Sequence, residues 1–159
     1  MREQPKYKIP QKGITVWRIY GILQTIFLAI AAGITSFLIT YFEGPFYVHV
    51  IAWAIVVIAI VFLIWAFPNI RYRVWRYEVR EQEIEIQSGL FIVTRTLIPM
   101  VRVQHVDTEQ GPILKRYGLS NISISSAATT HTIPFLEMDE ADRLRGRISE
   151  LARVAEEDV

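Results

Sequence analysis

From Ile19 to Phe42 the sequence runs 24 residues without an Asp, Glu, Lys or Arg, and from Gly44 to Ile70 it runs 27 more in which His49 is the only titratable imidazole. A helix rises about 1.5 Å per residue, and about 20 apolar residues cross the roughly 30 Å of bilayer hydrocarbon. Each stretch is long enough to span with some tilt. The link Glu43-Gly44-Pro45-Phe46-Tyr47 carries the helix breakers of a tight turn. The chain therefore reads as a transmembrane hairpin over 19–70, with spans near 19–42 and 47–68 and Pro68 closing the second. Gln24, Thr25, Thr35, Ser36 and Thr40 can bond a neighbouring helix or their own backbone. Gly21, Gly33, Ala29 and Ala32 allow close helix packing, within the hairpin or against a partner span. Aromatic residues gather where a span would meet water: Trp17 and Tyr20, then Tyr41, Phe42, Phe46 and Tyr47, then Trp65, Phe67, Tyr72 and Trp75.

Charge sets the expected orientation. Arg2, Lys6, Lys8, Lys12 and Arg18 precede the first span, Arg71, Arg73, Arg76 and Arg80 follow the second, and the turn holds no Lys or Arg. Basic flanks stay in the cytoplasm, so both termini are expected there, in a two-span protein of the cell membrane. A signal peptide fits less well. Ala29-Ile30-Ala31 resembles a cleavage site, but the apolar run continues through it and a second run follows. With no cysteine, disulfides, lipid attachment at Cys and Cys-ligated metals are excluded. Residues 1–18 hold five basic residues against one acidic, whereas 96–159 hold seven against ten. That mildly acidic half argues against nucleic acid as a partner.

Residues 71–159 read as a separate cytosolic domain after a basic N-terminal segment, 1–18, and the hairpin. Strands are expected over 73–79, 83–87, 91–98, 101–108, 119–127 and 131–135. Glu83-Ile84-Glu85-Ile86-Gln87 alternates as if one face were wet. The apolar phase slips after Val103, which predicts a bulge near Gln104-His105. Gly111-Pro112 opens a short turn or a single helical turn that Gly118 closes. Ala141, Leu144, Ile148, Leu151, Ala152 and Ala155 recur at helical spacing, with Asp139 as the expected cap. The fold class is thus a membrane α-hairpin plus a mainly-β domain, an antiparallel barrel or sandwich capped by a C-terminal helix.

One composite motif runs through this half. Its pieces are Ile98-Pro99-Met100-Val101-Arg102-Val103-Gln104-His105-Val106-Asp107, Gln110-Gly111-Pro112-Ile113-Leu114-Lys115-Arg116-Tyr117-Gly118-Leu119 and Ile122-Ser123-Ile124-Ser125-Ser126-Ala127. With the two preceding spans, it resembles the bacterial pleckstrin-homology-like (PH-like) membrane proteins of the YdbS type over essentially the whole chain. The resemblance implies a bent antiparallel PH-like barrel plugged by a helix. It brings no catalytic residues. It gives Pro99, Arg102, Gln104, Gln110, Pro112, Gly118 and Leu119 as motif positions, expected to be structural. It also suggests a partner, a multi-span membrane protein carrying similar barrels.

His105 and Asp107 nominally share a strand face, and Ser123, Ser125 and His131 are within reach across a sheet, but no nucleophile elbow marks a serine. The histidines, Asp107 and Glu109 match no metal-site spacing, and Gly111 to Gly118 lacks the ending of a phosphate loop. No enzyme, cofactor or metal is expected. The spans hold no Asp, Glu, Lys or Arg of the kind that marks a transport path. The leading expectation is a membrane-tethered module for protein–protein interaction, with a PH-like membrane protein or a further copy of itself as partner. The alternative is a sensor of anionic lipid head groups, with Arg71, Arg73, Arg76, Arg80, Lys115 and Arg116 as contacts for lipid or partner.

Overall fold

A computed structural model describes residues 4–127 and 129–157. Arg2 of the N-terminal basic group lies outside them. The chain divides into two compact units: Ile14–Ile70, and a β-rich unit made of the residues up to Gly13 together with those from Arg71 onward.

The helical unit is built on α1 (Lys12–Tyr41) and on α2 (Tyr47–Ile60), which continues through a π-helical stretch, Val61–Ala66, into α3 (Phe67–Val74). The two helices are apolar enough to cross a membrane, and only 11% and 6% of their most apolar windows is buried within the protein. Phe27, Phe37, Ile58 and Trp65 are all at least 67% exposed. A soluble core helix would cover such side chains, whereas a lipid-facing one leaves them outward.

Both expected helix stops differ in detail. The first helix ends at Tyr41, and Glu43 takes the left-handed region at φ 54°. Gly44 N–H bonds Ile39 O at 2.8 Å and Glu43 N–H bonds Thr40 O at 3.3 Å, the paired bonds of a Schellman ending. Pro68 does not close the second helix, which stays helical to Val74. Proline lacks an N–H and its ring collides with the carbonyl four residues back in a regular α-helix. Here the preceding turns widen, with Phe67 N–H bonding Phe62 O, and the helix passes the proline. Consequently the strand expected from Arg73 begins only at Arg76.

Among the glycines of this unit, Gly21 makes the closest approach: a Cβ there would lie 2.5 Å from Leu63 O. Gly33, expected to serve the same end, has open space around it, with nothing within 4 Å of where a Cβ would stand. The hydroxyls of Thr25, Thr35 and Thr40 donate to carbonyls of their own helix.

The β-rich unit holds two antiparallel sheets. One has the order β1 (Tyr7–Lys8), β2 (Arg76–Val79), β3 (Glu83–Gly89), β4 (Val93–Pro99); the other has β5 (Val103–Glu109), β6 (Leu119–Ser126), β7 (Thr130–Glu137). Between barrel and sandwich the structure gives two sheets, not a closed barrel. Ile84, Leu119, Ile122, Ile124, Ile133 and Leu136 are fully buried and form the core of this unit. Helix α4 (Pro112–Arg116) joins β5 to β6, and α5 (Met138–Glu157) packs on β5 and β6 and buries Ala141 and Ile148. Asp139 lies inside the first turn of α5, not at its cap, because the helix already starts at Met138.

The strand β1 comes from the segment ahead of the first apolar helix. It pairs Tyr7 with Tyr77 and Lys8 with Arg76 on β2, and the two tyrosine rings stack 5.8 Å apart. Lys12 Nζ donates to Glu137 at 3.0 Å, and Gly13 sits against the Phe135 ring. The ends of the apolar hairpin are thereby joined in one β unit.

The register slips where expected, between Val103 and His105. A second slip, between Ser120 and Ile122, sets Pro134 and Phe135 against Asn121. Phe135 takes φ 60° there, and its N–H bonds Asn121 Oδ1 at 3.1 Å. The bulge lets the edge strand β7 accommodate its proline. The alternation read over 83–87 does not leave a wet face: Glu85 and Gln87 are 2% and 6% exposed. β3 is an inner strand, and Arg80 and Arg95 reach over that face to bond them.

Candidate functional site

Of the acid–base candidates, His131 stands apart from the others. The slip in β5 precedes His105, so His105, Val106 and Asp107 alternate regularly, opposite Ser125, Ile124 and Ser123. His105 and Asp107 share a face with Ser123 and Ser125. His131 pairs with the buried Ile124 and lies on the other face. The serine hydroxyls bond across to β7, Ser123 with Thr132 at 3.3 Å and Ser125 with Thr130 at 3.1 Å. His131 Nε2 bonds Thr129 Oγ1 at 3.1 Å. No hydrogen bond joins His105 to Asp107 or to either serine among the described residues. Those hydroxyl pairs form a cross-strand polar ladder between β6 and β7. Among the described residues there is also no cluster of three or more His, Asp or Glu able to hold a metal. Asp107 and Glu109 are exposed on β5, and His49 lies in the helical unit.

The six basic candidates fall in three places. Arg71, Arg73 and Arg76 lie where the chain leaves α3 and enters β2. Arg73 is exposed and Arg76 half-exposed, and neither has a carboxylate partner among the described residues. Arg80 lies past the far end of β2 and is fully engaged: its guanidinium donates to Glu78 at 2.8 Å, Glu83 at 3.0 Å and Glu85 at 3.0 Å. Hydrogen bonding to Glu78 raises its pKa further above the ordinary range. Arg80 is the hub of an acidic cluster that holds β2 and the β2–β3 turn together. Lys115 and Arg116 project from α4, exposed.

The motif divides by role. Gln110 Nε2 donates to Leu119 O at 2.9 Å and contacts Met138 Sδ, and Met138 N–H bonds Gly118 O at 3.3 Å. Pro112 is the first residue of α4, where a missing N–H costs nothing, and Lys115 N–H bonds back to Gly111 O at 2.9 Å. Gly118 takes φ 66°, and Leu119 is fully buried. These residues make the corner that joins β5, α4, β6 and the start of α5. Pro99 ends β4 opposite Glu83. Arg102 and Gln104 differ from all of these: both are exposed, with no side-chain partner among the described residues.

Two grooves flank the C-terminal half of α5 beside that exposed stretch. One, of about 480 Å3, is lined by Val101, Leu151, Val154 and Ala155 with Glu81 and Gln82. The other, of about 490 Å3, runs between Val103–Val106 and Ser149, Ala152, Arg153 and Glu156. Sequence periodicity places Leu151 and Ala155 on the buried side of α5, but both are only half-buried and line the first of these grooves.

Two further features carry no sequence signal. Tyr77 OH donates to Glu140 at 2.8 Å, tying β2 to the start of α5; burial and that carboxylate push the phenol pKa up. Gln87 donates to Val74 O, the last carbonyl of α3, at 3.1 Å and accepts from Arg95 Nε at 3.0 Å. Alternation alone gives a strand glutamine no mark of such a role.

The bacterial PH domain family matches residues 21–152. The transmembrane protein YdbS of Bacillus subtilis (strain 168) is 49% identical over 162 aligned positions, which cover all of both chains. No solved structure matches. A family match over most of the chain and a full-length relative at this identity settle the family: the chain belongs to the bacterial PH domain family, as a transmembrane, YdbS-like member.

Proposed function

We propose that the hairpin holds the PH-like unit at the cytoplasmic face of the cell membrane, where it binds the PH-like domain of another membrane protein or of a further copy of this chain. The observation that carries the reading is the division within the motif. Gln110, Pro112, Gly118 and Leu119 are spent on the fold, while Arg102 and Gln104 have no side-chain partner among the described residues and lie beside grooves on α5. Apolar Val101 and Val154, each 46% exposed, share a groove with Glu81 and Gln82, the pattern of an apolar contact with a polar rim. Two sheets of similar shape, both tethered in one membrane, meet at high effective concentration, so a modest contact suffices. Cytoplasmic orientation rests on the Lys and Arg flanks and on β1, which requires both ends of the hairpin on one side.

Arg73 and Arg76, without a carboxylate partner among the described residues, favour a second role, attraction to anionic head groups, at the opposite end of β2 from Arg80. Arg80, held by three carboxylates, contributes little to either reading.

The test is purification of the full chain from gently solubilised membranes. The expected product is a complex with a PH-like membrane protein or a homo-oligomer. Val101→Glu and Val154→Glu lie on exposed positions and leave the fold intact, yet each weakens the complex by about 2 kcal/mol, as central contact residues do. Recovery of the wild-type chain as a lone monomer would contradict the proposal.

A further inference from the structure

The β3–β4 hairpin ends in Leu90-Phe91-Ile92, followed by Val93 at the start of β4. Phe91 and Ile92 are 80% and 81% exposed, the largest exposures of apolar side chains among the described residues of the β unit, and Val93 beside them is 51% exposed. The turn is built, not loose. Gly89 takes φ 147°, and a Cβ there would overlap the Ile92 carbonyl, so the backbone folds tightly back and turns the side chains outward. The sequence reads these residues as strand; in the structure they are its tip.

The register fixes where this tip points. Arg76, Gln87 and Arg95 form one row across β2, β3 and β4, and Gly89 pairs with Val93 two residues further on. At about 3.3 Å per residue the tip projects roughly 7–10 Å beyond that row. Arg76 is also the first strand residue after α3, and Gln87 bonds the last carbonyl of that helix. The tip therefore extends from the end of the sheet at which the chain arrives from its second apolar helix. Arg76 lies in that row and Arg73 in the last turn of α3, and neither has a carboxylate partner among the described residues.

We infer that the β3–β4 tip is a membrane wedge: Phe91 and Ile92 insert into the head-group and acyl boundary of the bilayer, with Arg73 and Arg76 against its anionic head groups. The tip is convex and contiguous, which suits a deformable lipid surface. Apolar residues ahead of basic ones match the layering of an anionic interface, acyl chains within and phosphates outside. The wedge would hold the PH-like unit at one tilt to the bilayer. It goes beyond head-group recognition, since apolar burial is its main term, and it requires no protein partner.

The full chain has no cysteine, so single-site labelling is clean. Phe91→Cys, Ile92→Cys and, at the opposite end of the same strands, Glu81→Cys are nitroxide-labelled in single-copy nanodiscs containing phosphatidylglycerol. The expected result is that labels at 91 and 92 lose collision with an aqueous nickel complex and gain collision with oxygen, while the label at 81 does the reverse. Labels at 91 and 92 as open to nickel as that at 81 would overturn the inference. Shielding from both reagents would overturn it too, because that is the signature of a protein-covered site. An unchanged unfolding midpoint confirms that the exposed substitutions spare the fold.

Discussion

Gly89→Ala is expected to destabilise the β unit by about 3 kcal/mol, a large share of the roughly 5–15 kcal/mol that holds a domain of this size together. Two terms add. Gly89 takes φ 147°, a region open almost only to glycine, which costs a side-chain-bearing residue on the order of 1–3 kcal/mol. The new methyl then meets the Ile92 carbonyl, a backbone atom that cannot swing aside, for about 1–3 kcal/mol more. The turn sets the pairing of Gly89 with Val93 and so the register of β3 on β4. Chemical unfolding of the full chain in nanodiscs reads the loss through Trp75, which is buried in the β unit, while Trp17, Trp53 and Trp65 belong to the helical one. Gly118→Ala is the matched control. Gly118 also has positive φ, 66°, but nothing lies within 4 Å of its Cβ position, so about 1 kcal/mol is expected. Equal effects at the two sites would show that the steric argument at Gly89 fails.

Gly21→Val is expected to loosen the apolar hairpin by about 1–3 kcal/mol. Its side chain enters where α1 meets the backbone of the π-helical stretch, 2.5 Å from Leu63 O. Helices in lipid gain little from the hydrophobic effect between themselves, so close backbone approach supplies much of their attraction. A valine there removes it. Gly33→Val is expected to change almost nothing, since no atom lies within 4 Å of its Cβ position. The two variants are compared by the denaturing-detergent concentration at which reconstituted hairpins separate. A larger effect at Gly33 than at Gly21 would contradict the packing described.

The contrast between these glycines shows what the chain makes legible. Small residues mark where helices can approach, but they do not say which face meets the partner, and Gly21 and Gly33 look alike in one dimension. The apolar runs, the turn after Phe42, the slip after Val103, the helical turn at Gly111-Pro112 and the stripe of α5 all follow from local patterns with a direct physical meaning. What stays hidden depends on pairing at a distance. β1 spans only Tyr7 and Lys8, too short for any periodicity, and exists because β2 offers an edge across the whole hairpin. Glu85 and Gln87 read as solvent-facing because their burial is supplied by Arg80 and Arg95 from other positions in the sheet. Pro68 reads as a stop because the π-helical accommodation before it leaves no compositional trace. The candidate site shows the same limit. The motif is legible as a unit, yet only the contacts separate Gln110, which ties the corner, from Arg102 and Gln104, which face outward. Arg80 looks like a partner for phosphate in the sequence, and three carboxylates already hold it.

The central claim is that strands from before and after the hairpin form one PH-like unit on the cytoplasmic side of the membrane. Substituted-cysteine labelling of intact cells with a membrane-impermeant maleimide tests it most directly, using Phe46→Cys in the turn, Gln11→Cys just after β1 and Glu81→Cys between β2 and β3. The account predicts labelling at 46 alone, with 11 and 81 reacting together only after the cells are permeabilised. Labelling of 11 or 81 from outside, or of one without the other, would contradict it.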